Sequence, residues 1–125
     1  MGYLPGTMNA RTAFDAKTDL RSGFDRFSPE NLAANRAVVD LLKRFAEEKE
    51  STPAQIALAW LMGQKPWIIP IPGTRNMAHL NENLKAISIQ LTFEDLRAIE
   101  TALSTITVRG GRMNEEQMRI VDATL

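Results

Sequence analysis

Apolar residues recur at helical spacing along much of the chain. Val38, Leu41, Leu42 and Phe45 form one stripe, while Lys43, Arg44, Glu47 and Glu48 face outward, which predicts an amphipathic helix. Ser28-Pro29-Glu30 reads as its start: a hydroxyl to accept from a free N–H, a proline at the first helical position, and an acid at the positive end of the dipole. This helix is expected to reach about Lys49. A second start follows at Thr52-Pro53-Ala54-Gln55, with capping-box spacing from Thr52 to Gln55. Ile56 to Met62 is then apolar all round, and such a helix wants burial on every side.

Gly63-Gln64-Lys65-Pro66 breaks that helix. Trp67-Ile68-Ile69-Pro70-Ile71 is a short, continuous apolar run rich in β-branched residues, which predicts a buried parallel strand ending near Pro70. A weak alternation at Ile87, Ile89 and Leu91 is the other strand candidate. One buried strand cannot make a sheet. The run and the all-apolar helix both suggest that packing partners are missing. After the turn Pro72-Gly73-Thr74, a helix is expected with Met77, Leu80, Leu84 and Ile87 on one face. Thr92 caps another, with Asp95 third in line and Leu96, Ile99 and Leu103 on its apolar side. Gly110-Gly111 leads into a short amphipathic tail, Asn114 to Val121, with Met118 and Val121 apolar.

Residues 1–27 lack periodicity and read as an N-terminal arm or surface loop, with a plain solvated tail as the alternative. The expected division is therefore 1–27, then 28–109, then a tail at 110–125. There is no internal repeat.

Composition narrows the function classes. The 125 residues suit one domain, and 44% are hydrophobic, enough for a core. Fifteen Lys plus Arg balance fifteen Asp plus Glu, so no global field favours nucleic acid or anionic membrane. With no cysteine and the single His79, thiolate chemistry, zinc-thiolate sites and multi-histidine metal sites are excluded. Met1-Gly2-Tyr3 does not open a signal peptide, and no apolar run approaches the ~20 residues of a membrane span. A soluble cytoplasmic protein is the expectation.

Candidate chemistry lies in Ile68 to Asn83, IIPIPGTRNMAHLNEN. An apolar run enters a Pro-Gly turn and then a helix N-terminus, where free N–H groups and the dipole favour an anion. Gly73 lets a ligand approach the backbone, Thr74 offers a hydroxyl, and Arg75 offers a planar donor fork suited to phosphate. Glu82 and Asn83 offer an acceptor and a donor for an exocyclic amine and a ring nitrogen. Simpler roles stand beside these: Thr74 as a helix cap, Arg75 as a solvated charge, His79 as a surface residue.

Ile71-Pro72-Gly73-Thr74 followed by Leu80-x-Glu82-Asn83 resembles the adenosine-phosphate loop of the aldo-keto reductases. Thr52-Pro53-Ala54-Gln55-Ile56-Ala57-Leu58-Ala59-Trp60 resembles that family's helix between its seventh and eighth barrel strands. Leu91-Thr92-x-Glu94-Asp95-Leu96 resembles the start of its C-terminal helix. The resemblance spans roughly residues 28 to 104. It implies an α/β fold: the C-terminal portion of an incomplete (β/α)8 TIM barrel, predominantly helical with one or two short strands. It also implies NADP as cofactor, with Gly73, Thr74, Arg75 and His79 around the 2′-phosphate and Glu82 and Asn83 on adenine. Many members carry a lysine at the position of Gly73 and an arginine at that of His79, so Arg75 is the only permanent positive charge in this turn.

The resemblance also shows what is missing. The family's carbonyl reduction needs a tyrosine proton donor supported by lysine, aspartate and histidine. Here Tyr3 is the only tyrosine and His79 lies in the cofactor loop, so no catalytic residue is assigned. A complete barrel takes ~250 residues. A truncated reductase, a shortened product that self-associates and a recruited non-enzymatic module all remain open. The leading reading is an NADP-binding portion of a reductase, not catalytic alone. The alternative is a helical interaction module, dimerising through the Trp60 helix and the Trp67 strand. The substrate is not legible, because specificity in barrel enzymes lies in the strand–helix loops.

Overall fold

The computed structural model describes residues 2–9 and 11–122. Among the described residues six helices run in order: α1 (Pro29–Ala34), α2 (Arg36–Glu48), α3 (Pro53–Gln64), α4 (Met77–Lys85), α5 (Phe93–Ser104) and α6 (Glu115–Asp122). Short 3₁₀ turns lie at Leu20–Gly23, Asp25–Phe27 and Ala86–Ser88.

The expected single helix from 28 to 49 is two. Ser28 caps α1, its hydroxyl accepting from Asn31 N–H. The break falls at Asn35 (3% exposed), whose side chain is diverted to a distant segment. Its amide donates to Arg109 C=O and accepts from Arg109 N–H, both at 2.8 Å. α2 then buries Val39, Leu41, Leu42, Phe45 and Ala46. It ends in a Schellman turn: Ser51 N–H donates to Ala46 C=O and Glu50 N–H to Glu47 C=O. Glu50 accordingly takes a left-handed φ of 48°.

The Thr52–Gln55 capping box forms as its spacing implies. α3 packs on α2, and the short connection folds the two back on each other. Leu41, Leu42, Phe45, Ala46, Ile56 and Ile99 make the main core, closed by Trp60, Ile89, Leu91, Leu103 and Ile106. Trp60 packs against this core, while Leu58, Leu61 and Met62 of the same helix are half-buried. α5 starts at a second capping box, Thr92 with Asp95, and Lys49 Nζ meets Asp95 Oδ2 at 2.6 Å.

The expected strand at 67–71 is absent, and the described residues hold no strand at all. The chain turns at Lys65–Ile68, where Ile68 N–H donates to Lys65 C=O, and runs on without helix or ladder to Asn76. The physical reason is that a strand exists only through pairing, and no neighbour is supplied. Ile87, Ile89 and Leu91 likewise form no strand; Ile89 and Leu91 pack on the main core.

The N-terminal segment is irregular yet anchored. Met8, Phe24, Phe27 and Leu32 form a second buried cluster, joined by Tyr3, Phe14 and Met113. Phe14 meets Phe27 edge-on at 5.4 Å, and the Arg21 guanidinium lies 4.6 Å above the Phe14 ring. Tyr3 O–H donates to Leu32 C=O at 2.7 Å. Asn114 begins α6 by accepting from Gln117 N–H. Met118 is half-buried, as expected of an apolar side; the Val121 side chain lies outside the described residues.

Candidate functional site

Residues 71 to 81 are exposed throughout. Within them the helix N-terminus differs in detail from the sequence expectation. Asn76, not Thr74, is the cap of α4: its Oδ1 accepts from Ala78 N–H at 2.8 Å and His79 N–H at 3.3 Å. Two of the N–H groups expected to be free for an anion are thus taken. Thr74 acts one step earlier, its hydroxyl oxygen accepting from Asn76 N–H at 3.1 Å. An asparagine directly before a helical period is a cap signal, so this role was available in the sequence and was missed.

The six candidate residues fall into two groups. Gly73, Thr74 and Arg75 lie in the turn. Arg75 forms no ion pair among the described residues, leaving its donor fork open to a ligand. Gly73 does not have a left-handed φ, and a Cβ built there meets nothing within 4 Å. The local fold therefore does not require glycine at this position. His79, Glu82 and Asn83 follow on α4 at i, i+3 and i+4, which puts them on one face of the helix.

Glu82 is not a free acceptor. Its Oε1 accepts from the Thr52 hydroxyl at 2.6 Å, and its backbone carbonyl accepts from Gln55 Nε2 at 2.8 Å. Gln55 Oε1 meanwhile accepts from Thr52 N–H at 3.0 Å. The capping box of α3 therefore clamps α4 and fixes the direction of Glu82, while the second carboxylate oxygen keeps acceptor capacity. Sequence spacing gave the capping box but not its second use across the helix pair. Asn83 is half-buried, and its amide makes no hydrogen bond among the described residues.

Elsewhere, burial pushes the Tyr3 phenol above its ordinary value of 10.0, and its proton is held by the Leu32 carbonyl. Tyr3 belongs to the N-terminal cluster and is no free proton donor here. No group of three or more His, Asp or Glu suited to a metal occurs among the described residues.

The turn and α4 lie inside the stretch that decides the family: the sequence profile described as "Aldo/keto reductase family" matches residues 2–104. The chain belongs to the aldo/keto reductase family. It is 39% identical over 87 residues to "Probable aldo-keto reductase 1" of Glycine max, covering 70% of this chain and 25% of that protein. It is 33% identical over 122 residues to "Aldo-keto reductase str7" of Strobilurus tenacellus, covering 98% of this chain and 36% of that protein. The chain thus spans between a quarter and about a third of these reductases. No solved structure matches it. Family membership implies part of a TIM barrel, with which helices lacking sheet partners are consistent, and an oxidoreductase lineage that typically uses NAD(P)H. Among the described residues, no helix is long and apolar enough to cross a membrane.

Proposed function

We propose that residues 68–83 hold the adenosine-phosphate end of NADP in a cytoplasmic aldo/keto reductase, which reduces carbonyls by hydride transfer when the whole barrel is present. In this reading Gly73, Thr74, Arg75 and His79 surround the 2′-phosphate, and Glu82 and Asn83 meet adenine. The observation that carries it is the exposed Arg75 fork, without an ion-pair partner among the described residues, directly before the helix that bears His79, Glu82 and Asn83 on one face. The two bonds from α3 support it further by fixing Glu82 in advance. NADP supplies the hydride; this chain's part is to bind and orient its far end, and we assign it no proton donor. The division at 1–27, 28–109 and 110–125 belongs to the same reading, with the middle part as the barrel portion.

Titration of the chain with 2′,5′-ADP, against 5′-AMP as control for the 2′-phosphate, tests this directly. Trp67 fluorescence or NMR reports binding. The reading expects saturable binding that prefers 2′,5′-ADP. Arg75→Ala should weaken it by roughly 10- to 100-fold, the worth of a charge-assisted hydrogen bond or two. Equal affinity for the two nucleotides, or indifference to Arg75→Ala, would refute the phosphate role. A second reading, a self-associating helical module without catalysis, is favoured by the exposed apolar side chains between Trp67 and Phe93. That module has no use for Arg75, so the same titration separates the two.

A further inference from the structure

The Thr52 hydroxyl has one proton and two neighbours. Its oxygen accepts from Gln55 N–H at 3.3 Å, and its proton goes to Glu82 Oε1 at 2.6 Å. The backbone N–H can only donate, so the hydroxyl proton is left for the carboxylate. Gln55 (7% exposed) completes the arrangement. Its Oε1 accepts from Thr52 N–H at 3.0 Å, and its Nε2 donates to the Glu82 backbone carbonyl at 2.8 Å. Thr52 follows a fixed turn, closed by Ser51 N–H on Ala46 C=O at 2.8 Å. Capping α3 needs only the Thr52 oxygen and the Gln55 carbonyl. The two donors given to Glu82 are surplus to the helix, and they tie both the side chain and the backbone of that residue.

Toward a ligand, half-buried Glu82 keeps Oε2, a carboxylate acceptor. Beside it on α4, Asn83 carries an amide that can present either its oxygen or its NH2. The two groups read a base differently. A 6-aminopurine offers an N–H donor beside a ring-nitrogen acceptor, which a carboxylate and the Asn83 NH2 complement. A 6-oxopurine inverts both, with a carbonyl oxygen in place of the amine and an N–H on the ring nitrogen. Asn83 follows that inversion by turning its amide over. Glu82 cannot follow it, and an acceptor facing an acceptor leaves both unpaired. A carboxylate free to swing would escape by moving to solvent or to the ring N–H.

We propose that, within the NADP reading on which this role rests, Thr52 and Gln55 are positioning residues for base selection. By holding Glu82 in place they make the site take a 6-aminopurine and reject a 6-oxopurine. Neither residue touches the nucleotide; both act through Glu82. The phosphate end is read separately, by Arg75, so the two preferences are separable by substitution.

The test compares 2′,5′-ADP with its inosine counterpart, which differs only in the base, by NMR titration of the chain. The parent should prefer the adenine compound by about tenfold or more, the worth of one net hydrogen bond with its mismatch avoided. Thr52→Asp keeps a good cap for α3 but has no proton for Glu82, and should bring that ratio below about threefold. Gln55→Glu keeps the capping box and loses the donor to the Glu82 carbonyl, and should lower the ratio in the same direction. Thr52→Ser keeps both cap and proton and should restore the parent ratio. Arg75→Ala should weaken both compounds alike and leave the ratio unchanged. Helical circular dichroism checks that each variant is folded. A parent that binds both bases equally, or a Thr52→Asp chain with the parent ratio, would overturn the positioning role and leave the phosphate reading standing. A parent that binds neither compound would overturn the cofactor reading and this role together.

Discussion

Two glycines show how differently single positions bear on this molecule. Gly110 has φ +83°, and a Cβ there would lie 2.4 Å from Arg26 Cα and 2.7 Å from Arg26 N. Both objections concern backbone, which cannot swing aside as a side-chain tip does. Gly110→Ala should cost at least ~2 kcal/mol, from left-handed strain plus the clash, read as a lower urea midpoint. Gly73→Ala meets open space at a permissive φ. It should leave stability unchanged or raise it by about 0.4–1 kcal/mol through the unfolded chain. Under the NADP reading it should also leave 2′,5′-ADP binding intact, since many members of the family carry a lysine, and so a Cβ, at this position. A Gly73→Ala chain that loses binding would instead mean that the ligand approaches this backbone more closely than a Cβ allows.

At the scale of elements, the capping boxes do more than start helices. Thr52 satisfies Gln55 N–H and also donates to Glu82, so Thr52→Ala removes a cap and an α3–α4 link together. A cap alone is worth ~1 kcal/mol, and a larger loss in thermal unfolding is expected here. The second box ties α5 to α2. Burial opposes the Asp95 charge, yet the Lys49 ammonium and Thr92 outweigh it and hold the carboxyl below its ordinary 3.8. Asp19 is brought to about 2, first by the Arg21 side chain and then by its backbone N–H. Carboxyls with depressed folded values stabilise above 3.8 and lose that contribution as pH falls through the folded value. Thermal midpoints should therefore fall as pH drops from 3.8 toward 2, and Asp95→Asn should shrink that dependence. These boxes were legible because Thr at the cap and Gln or Asp three residues on specify local geometry. The Trp67–Ile71 strand was read from apolar content, which reports a preference for burial. Pairing needs a second segment, so the sequence of this one could not secure it. The candidate site divides the same way. Thr74, Arg75 and the spacing of Glu82 and Asn83 were legible locally, while the hold of Thr52 on Glu82 arises only from the packing of α3 against α4.

The whole molecule is held by two apolar clusters and one polar strap. The main core lies among α2, α3 and α5; the second gathers residues from the N-terminal segment, α1 and Met113. The strap is the pair of hydrogen bonds between the Asn35 amide and the Arg109 backbone, and its Arg109 end lies past residue 104, where the family match ends. Asn35→Ala would leave a backbone donor and acceptor at Arg109 without partners, at a cost of about 1–3 kcal/mol. That cost should be local, since neither residue belongs to the main core. Hydrogen exchange should speed up at Phe27 and Leu32, whose cluster the returning tail closes through Met113, while Ile56 and Ile99 amides keep most of their protection. Gly110→Ala disturbs the same strap one residue further on, so the double variant should cost less than the two single costs added. Full additivity would instead mean that Gly110 and the strap act independently, and equal loss of protection at Ile56 would mean that both clusters open as a single cooperative unit.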